Sequence, residues 1–294
     1  MANTGPKPGR GWLCEQLNDD YLFGCRGGSR IAAGESAHQR YEVWDTPQFG
    51  RLYRLDGRFM ASEADEFFYH ENLVHFPAVA QATTRRALVI GGGDGGSLRE
   101  LVGLPGIERI VLVELDEKVL ELARQYLPRV HCGAFDDPRV EVRIDDGRRY
   151  VEGAARAAGE RFDLIVFDLT DPDGIAAPLY TVEFLRSCRA LLSDDGAVSL
   201  HLGAPIFQRA TVRRLLASLR SVFRIVRPYF LYVPLYGSLW GMACASDALD
   251  PAALTAVEVD SRLAARGIVA LKYYNGDIHC AQQALPNYLR ALLG

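Results

Sequence analysis

The sequence predicts an α/β protein with a small N-terminal antiparallel β domain at residues 1–76 and a doubly wound parallel-sheet domain at residues 77–294. From Arg86 onward, short and almost continuously apolar stretches alternate with amphipathic stretches of helical spacing. That alternation is typical of a parallel sheet covered on both faces by helices. Before this point, strand-like runs are separated by turn residues, which is typical of antiparallel hairpins.

The N-terminal part is predicted element by element from its turn residues. Residues 1–35 are rich in glycine and are expected to be irregular, with an acidic patch at 18–20. Between Gln39 and Glu63, three strands are predicted in RYEVWDT, GRLYRLDG and RFMAS. Helical spacing of apolar residues then predicts a helix over 64–82, which is interrupted near its end by a proline.

The second part is predicted as strands that alternate with helices. Its strand candidates are ALVIGG, RIVLVEL, VEVRID, FDLIVFDL and AVSLHL, and its helix candidates include SLRELV, EKVLELARQYL and TVEFLRSCRALL. The later stretches FRIVRPYFLYVP and SLWGMACAS indicate two further strands, interpreted as an antiparallel pair.

Composition indicates an ordinary globular protein, with 49% hydrophobic and 24% charged residues among 294. The formal net charge of −4 offers no basic surface, so no nucleic-acid partner is expected. No apolar run reaches the roughly 18 residues of a membrane span, and no signal-peptide core follows the first residues. The six cysteines are scattered without a CxxC pair, so reduced thiols and a cytoplasmic location are expected.

Acidic residues follow three successive predicted strands. The first strand leads into the glycine-rich loop IGGGDGG at 90–96, which contains Asp94. The second ends at Glu114, 20 residues later, where an acid typically binds ribose hydroxyls. The third is followed by Asp146 and Gly147, a position suited to an adenine amino group. Because ligands of open α/β sheets lie beyond the carboxyl ends of the strands, this pattern predicts an adenosine-containing cofactor on a Rossmann-like sheet.

The glycine loop alone leaves the type of cofactor open. Gly91, Gly93 and Gly96 satisfy the GxGxxG pattern of dinucleotide-binding proteins. A pyrophosphate beside Asp94 would be repelled, however, so an S-adenosyl cofactor is favoured. A structural alternative remains, in which the glycines only form a tight turn and Glu114 is a surface acid.

Two further carboxylates follow the fourth predicted strand, in FDLIVFDLTDPDG. Asp168 and Asp171 would open into the same cleft as Asp94 and make it strongly anionic. An anionic cleft beside an adenosine site favours a polycationic substrate. Ordinary turn chemistry could explain residues 171–174 but does not explain Asp168.

From about Gln39 to its end, the sequence resembles the spermidine synthase family, the polyamine aminopropyltransferases. The combination of GGGDGG, DxTDP and YHE is highly specific. The matching stretches are FGRLYRLDG, DEFFYHENLVH, ALVIGGGDGGSLRE, VELDEKVLE, FDDPRVEVRIDDGRRY, DLTDPDG, PLYTVEF, VPLYGSLWG and LKYYNGDIHCAQQALPNYL.

The resemblance implies transfer of an aminopropyl group from decarboxylated S-adenosylmethionine to an amine, with release of methylthioadenosine. It implies a Rossmann-like, methyltransferase-type sheet, no prosthetic group, a small-molecule polyamine substrate and a homodimer or homotetramer. It also accounts for Asp94, which would attract the terminal ammonium of the decarboxylated compound and repel the carboxylate of intact S-adenosylmethionine.

The resemblance also implies roles for individual residues. Asp168 would be the general base, Tyr69 and Tyr236 would orient the amine, and Asp171 would bind its far end. His70 and Glu71 would line the same channel, and Trp240 could supply an apolar wall. The methylthioadenosine part would be held by Gln39, Gly91, Gly93, Glu114, Asp146 and Gly147.

Some alternatives stay open at this point. Tyr236 could be a core aromatic. His201 and Ile175 stand where the family commonly has glutamine and proline, which leaves the acceptor open between putrescine, ranked first, and spermidine or another amine. No metal is expected, because His70 and His75 are five residues apart and would point about 140° away from each other on a helix. The competing functions are an S-adenosylmethionine methyltransferase and a polyamine-binding protein without activity.

Overall fold

The structure, a computed structural model, describes residues 11–172 and 174–293. The expectation that no signal peptide is present came mainly from residues 1–10, and these lie outside the described residues. The strands are β1 Trp12–Asn18, β2 Tyr21–Arg26, β3 Ser29–Glu35, β4 Arg40–Thr46, β5 Gly50–Leu55, β6 Arg58–Ser62, β7 Arg86–Gly91, β8 Arg109–Glu114, β9 Val140–Ile144, β10 Phe162–Asp168, β11 Leu192–Gly203, β12 Ile225–Val233 and β13 Ser238–Ser246. The helices are α1 Glu66–Ala78, α2 Gly96–Val102, α3 Glu117–Tyr126, α4 Pro128–His131, α5 Gly147–Arg149, α6 Val182–Arg189, α7 Arg209–Val222, α8 Ala256–Ala265, α9 Gly276–Ala281 and α10 Asn287–Leu293.

A seven-stranded sheet forms the centre of the molecule, in the order β12-β13-β11-β10-β7-β8-β9. The five strands from β11 to β9 are parallel, and β13 pairs antiparallel with both β11 and β12. The predicted α/β fold, including the final antiparallel pair, is confirmed. The strand order reverses between β7 and β10, and ligands of such sheets bind at this switch point.

The alternation of buried residues along β7 shows why this strand is apolar throughout. Ala87 and Val89 face one core, together with Leu73 of α1 and Leu98 of α2. The intervening side chains face a second core, which contains residues of α6, α7 and α10. A strand buried on both faces needs an apolar residue at every position, which explains the continuous run ALVI.

Residues 11–35 are regular, so the expectation of an irregular N-terminal segment is wrong for the part that the structure describes. β1 and β2 form a hairpin, and β3 joins the predicted β4–β6 in a four-stranded antiparallel sheet. The acidic patch forms the hairpin turn, where Asp20 N donates to Asn18 Oδ1 at 2.9 Å. The glycines permit close backbone approach, since a Cβ on Gly24 would lie 2.3 Å from Leu13 O and one on Gly28 2.0 Å from Asp45 O.

Helix α1 joins the N-terminal strands to the central sheet. The ring of Phe76 in this helix stacks on Tyr229 of β12, with centroids 3.9 Å apart. Ser199 Oγ of β11 donates to the carbonyl oxygen of Leu73 in the helix at 2.6 Å. The antiparallel strands already end at Ser62. The predicted domain boundary between 76 and 77 therefore falls inside a helix that packs on the second domain.

None of the helices in the described part of the chain is long and apolar enough to cross a membrane. The longest, α7, has 14 residues and is amphipathic, with Leu215 and Leu219 on its buried side and Arg213 and Arg214 exposed. All six cysteines lie in the described residues, and each is a free thiol.

Candidate active site

The carboxyl ends of β7, β8, β9 and β10 open into one cleft at the switch point of the sheet. Strands β5 and β6 of the N-terminal domain cover it with Tyr53, Arg58, Phe59 and Met60. The cleft holds about 1220 Å³, including its open mouth.

The glycine loop after β7 brings the backbone against two acidic residues. Gly91 has a φ of +78°, and a Cβ there would lie 2.3 Å from the carbonyl oxygen of Asp168 on the neighbouring strand. A Cβ on Gly93 would lie 2.7 Å from Oε2 of Glu114, to which Gly93 N donates at 3.1 Å. Glycine is therefore required at both positions for the loop to pass between the two strand ends.

Glu114, at the end of β8, lies on the adenosine side of the cleft. Its Oε1 accepts from Asp116 N at 3.0 Å, and burial raises its pKa to about 7. Asp116 Oδ2 in turn accepts from Gln39 Nε2 at 3.0 Å and from Ser36 Oγ at 2.6 Å. The side chains expected to hold ribose thus belong to one hydrogen-bonded group that joins the two domains.

Asp146 and Gly147 follow β9 and line the same part of the cleft. Asp146 caps α5, where its Oδ1 accepts from Arg149 N at 2.8 Å. A Cβ on Gly147 would lie 2.6 Å from Cγ2 of Ile90. This glycine lets helix α5 approach β7 closely.

Three ionisable groups meet at the centre of the cleft. Nε2 of His70 lies 3.6 Å from Asp94 Oδ1 and 3.8 Å from Asp168 Oδ2. Ser97 Oγ, at the start of α2, donates to Asp168 Oδ2 at 2.7 Å. Gly96 N donates to Asp94 Oδ1 at 2.8 Å, which fixes this carboxylate in the loop.

The electrostatics of this centre follow from burial and from the neighbouring charges. Burial, together with the charge of Asp94, raises the pKa of Asp168 to about 6, although His70 and Ser97 act in the opposite direction. Burial alone would lower the pKa of His70. The carboxylates of Asp94 and Glu66 outweigh burial and raise that pKa to about 9. At neutral pH, His70 is therefore a cation, and Asp168 is mostly ionised.

A second layer of charges fixes the ring of His70. Its Nδ1 lies 2.9 Å from Glu66 Oε2, one turn earlier on α1. Arg99 of α2 donates to both oxygens of Glu66, at 2.6 Å and 2.9 Å. Both ring nitrogens of His70 therefore face carboxylates. The bidentate pairing with Arg99 holds Glu66 in place, and Glu66 in turn fixes the orientation of the His70 ring.

Aromatic rings form the wall beyond the central acids. The rings of Tyr69 and Tyr236 meet edge to face, with centroids 5.9 Å apart, and Trp240 lies 4.7 Å from Tyr236. Tyr236 Oη donates to Met60 O at 2.8 Å. His201 stacks on Trp240, and burial lowers its pKa, so this ring is neutral. The wall presents apolar faces suited to methylene groups.

Asp171 lines the same cleft. Its side chain is only 8% exposed, and its Oδ2 accepts from Gln208 Nε2 at 3.1 Å. The same oxygen forms an ion pair with Nη1 of Arg58. The two acids of this cleft thus have different partners, Asp168 a histidine and Asp171 an arginine.

The chain matches the model of the spermine/spermidine synthase domain over residues 66–253, more than half of its length. It is 50% identical over 279 residues to a polyamine aminopropyltransferase of Nitrosomonas europaea, covering 95% of this chain and 85% of that protein. A polyamine aminopropyltransferase of Moorella thermoacetica is 38% identical, with 96% of both chains covered.

The chain belongs to the spermine/spermidine synthase family. Solved structures agree with this result. Spermidine synthase of Thermotoga maritima is 34% identical, with a TM-score of 0.88 over 100% of this chain and 97% of that chain. A spermidine synthase in complex with the transition-state analogue AdoDATO gives a TM-score of 0.89 at 34% identity, over 100% of this chain and 98% of that chain. The resemblance stated from the motifs is confirmed, and the chain is an enzyme of this family.

The structure brings nearly all of the residues expected from the family motifs into one cleft. Twelve of the thirteen line it: Gln39, Tyr69, His70, Gly91, Gly93, Asp94, Glu114, Asp146, Gly147, Asp168, Asp171 and Tyr236. These residues come from six strand ends or loops and one helix. The fold therefore brings together residues that are far apart in the sequence.

Glu71 is the exception, and the expectation that it lines the channel is wrong. Its Oε1 accepts from Lys272 N at 2.7 Å, and its Oε2 accepts from Tyr273 N and Tyr274 N at 2.9 Å each. Consecutive residues of a helix point about 100° apart. When His70 faces the cleft, Glu71 must therefore face away from it, towards the C-terminal segment.

The central cluster of the cleft also bears on the expectation that no metal is bound. His70, Asp94 and Asp168 offer ligand atoms within 4.8 Å of one another, so this set could hold a metal ion. A metal would have to displace the proton of His70, whose pKa the neighbouring carboxylates raise to about 9. His75 lies elsewhere, with its Nε2 2.8 Å from Glu100 Oε2.

The sequence analysis missed several residues that line the cleft or contact its acids. Asp116 follows the strand-end acid Glu114 by two positions, and Ser97 follows the glycine loop directly, so both carried a positional signal. Glu15, Arg58 and their neighbours on the N-terminal strands carried none. They reach the cleft only because the antiparallel sheet folds over the switch point.

Proposed function

We propose that this enzyme transfers the aminopropyl group of decarboxylated S-adenosylmethionine to putrescine, giving spermidine and methylthioadenosine. The observation that carries the proposal is the cluster of Asp94, Asp168 and protonated His70 beside the glycine loop. This cluster has a net negative charge and no group that would bind a substrate carboxylate except His70, which is already flanked by acids.

The nucleoside would occupy the β7–β9 side of the cleft. Glu114 would accept hydrogen bonds from the ribose hydroxyls, with Gln39 beside it, and Asp146 would accept from the adenine amino group. Gly91 and Gly93 would leave space for the sulfur and its neighbouring carbons. Family membership and the positions of these side chains in the cleft support this assignment.

Asp94 would select between the two forms of the sulfonium nucleoside. The decarboxylated form ends in an ammonium, which Asp94 attracts. The intact form carries an additional carboxylate, which Asp94 and Asp168 repel at short range. Selection would thus depend on a penalty against the wrong ligand as well as on attraction to the right one.

In the transfer step, the amine nitrogen attacks the methylene carbon bonded to the sulfonium. The new N–C bond forms as the C–S bond breaks, and the bonding pair returns to sulfur, which becomes a neutral thioether. Asp168, mostly ionised at neutral pH, takes the proton that the amine loses. Tyr69 and Tyr236 would hold the amine in line with the C–S bond, where alignment supplies much of the rate.

The acceptor would lie along the aromatic wall, with its far ammonium near Asp171. The presence of two acids and several apolar rings in one cleft supports a diamine with a methylene spacer. The other acceptors to be compared with putrescine are cadaverine, agmatine and spermidine.

The deciding experiment incubates purified enzyme with decarboxylated or intact S-adenosylmethionine and each amine, and follows both products by mass. We expect methylthioadenosine and spermidine only with the decarboxylated form. A methylated amine without methylthioadenosine would instead establish a methyltransferase. Polyamine binding without release of methylthioadenosine for any amine would establish a binding protein without activity.

We also propose a homodimer or homotetramer in the cytoplasm. The hairpin β1–β2 exposes the large apolar side chains of Trp12 and Leu22, which supports a contact surface there. The six free thiols fit a reducing compartment. Light scattering should give a mass of at least twice that of the chain, and a monomer at micromolar concentration would contradict the assembly.

A further inference from the structure

A tyrosine of the sheet that covers the cleft carries an unpaired hydroxyl group. Tyr53 of β5 is 2% exposed and lines the cleft, as does Leu55 two positions later on the same face of the strand. The Oη atom of Tyr53 is buried and has no hydrogen-bond partner among the described residues. Burying a hydroxyl without a partner costs free energy, so an unpaired group that faces a binding cleft indicates a contact with the ligand.

Four carboxylates lie close enough to this hydroxyl to affect its ionisation. Burial is the largest cause that raises the pKa of the Tyr53 phenol well above its usual value, and the nearby acids add to it. These acids are Glu114, Asp94, Asp116 and Asp168, in order of decreasing effect. The phenol therefore keeps its proton at physiological pH and can donate a hydrogen bond.

The acids on the nucleoside side are held by other donors. Glu114 accepts from Gly93 N at 3.1 Å and from Asp116 N at 3.0 Å. Asp116 accepts from Gln39 Nε2 at 3.0 Å. The hydroxyl of Tyr53 is bonded to neither carboxylate, so its proton is uncommitted within the described part of the chain.

The hydroxyl groups of a ribose match this combination of groups. Each of them has a proton to donate and an oxygen that can accept. Glu114 of the central sheet, as a carboxylate, can only accept, whereas Tyr53 of the covering sheet has a proton to donate. An ammonium has no lone pair and cannot accept from a phenol. The unpaired proton therefore favours the ribose over the aminopropyl end of the co-substrate.

We propose that Tyr53 is a further substrate-binding residue, whose Oη donates to the oxygen of a ribose hydroxyl held by Glu114. This inference rests on the proposed function, which assigns the ribose to Glu114. The covering sheet then binds the nucleoside by a direct hydrogen bond, and the ligand connects the N-terminal sheet to the central sheet.

The test measures by calorimetry how the wild type and Tyr53→Phe bind methylthioadenosine and its 2′-deoxy and 3′-deoxy analogues. Phenylalanine keeps the ring and removes only the hydroxyl. We expect Kd for methylthioadenosine to rise about fivefold, the usual effect of one lost hydrogen bond. For at least one deoxy analogue, the difference between the two enzymes should fall below about twofold, because that analogue lacks the contacted hydroxyl.

Tyr150→Phe is the matched control. Tyr150 is also 2% exposed, but it does not line the cleft. The charges that act on it include Glu160 and Arg109, the first residue of β8, at the opposite edge of the sheet. This variant should bind all three ligands within about twofold of the wild type.

A second variant, Tyr53→Met, also lacks the hydroxyl and serves if the phenylalanine variant does not fold. The loss of the ring should weaken its binding of all three ligands by a common factor. The hydroxyl-dependent difference between methylthioadenosine and one deoxy analogue should still be about fivefold smaller than in the wild type.

The inference is overturned if Tyr53→Phe binds methylthioadenosine within about twofold of the wild type. A fivefold loss that persists with both deoxy analogues also overturns it, because the phenol would then contact another part of the nucleoside. Failure of the proposed function has a different signature, since the wild type itself would then neither bind methylthioadenosine nor release it with any amine.

Discussion

Asp168 and Asp171 are carboxylates of one cleft in opposite electrostatic settings. At the reaction centre, Asp168 and Asp94 share one cation, His70, whose charge depends on a titratable ring. At the acceptor end, Asp171 is paired with Arg58, which stays charged at any physiological pH. One end has an excess of negative charge that can respond to protons, and the other is compensated permanently.

The difference teaches that a shared residue type does not imply a shared role. Burial raises the pKa of Asp168, as suits a group that must accept a proton. Asp171 is just as buried but has donors fixed on one oxygen. The first is built for proton transfer and the second for recognition, and four substitutions separate the two roles.

The largest effect is expected for Asp168→Asn. Asparagine can still accept from Ser97 Oγ, so the local structure should persist, but it cannot take a proton. We expect kcat to fall by about 10³-fold, within the usual range for loss of a general base. Release of methylthioadenosine measures the rate, and calorimetry with methylthioadenosine measures whether nucleoside binding is retained. Activity within tenfold of the wild type would remove Asp168 from the role of base.

Asp94→Asn is expected to act on selectivity. The amide keeps the oxygen that accepts from Gly96 N but has no charge. We expect the affinity for decarboxylated S-adenosylmethionine to fall by about tenfold and that for the intact form to rise, because attraction and repulsion are lost together. Calorimetric titration with both compounds measures the ratio. An unchanged ratio would contradict selection by charge.

A smaller effect is expected for Asp171→Asn. Because Arg58 already compensates this carboxylate, its loss should raise KM for a diamine only about fivefold and leave kcat nearly unchanged. KM for n-butylamine should not change. A fall in kcat as large as that of Asp168→Asn would show that Asp171 takes part in the chemical step, which contradicts its assignment to substrate recognition.

The pH dependence sharpens the comparison at the reaction centre. Asp168 must be ionised to act as base, so kcat/KM should rise with pH through about 6 and be lost below it. Ser97→Ala removes a hydrogen bond that favours the ionised form. It should therefore raise the apparent pKa of the acidic limb of the kcat/KM profile by about half a pH unit. Ionisation of the acceptor affects both enzymes equally, so the difference between the two profiles reports Asp168. If the acidic limbs of the two profiles coincide, Asp168 is not the group that titrates there.

The sequence predicted the central sheet and the acids at its strand ends because both depend on local patterns. Apolar runs mark the buried strands, and residues that follow parallel strands must meet at one edge. The β1–β2 hairpin was missed because its glycines resemble loop residues, whereas Gly24 and Gly28 serve close backbone contacts. The pairing of Arg58 with Asp171 could not be predicted, because the two residues are 113 positions apart in the sequence.

Glu71 connects the reaction centre to the end of the chain. One turn of α1 directs His70 into the cleft and Glu71 into three backbone N–H groups at 272–274. Removing that C-terminal segment would take away the donors that hold this carboxylate, and with them a contact that fixes the rotation of α1 about its own axis. A rotation of α1 would shift His70 relative to both aspartates. Integrity of the tail is therefore a condition for the geometry of the cleft, although the backbone amides that bind Glu71 never approach the substrate.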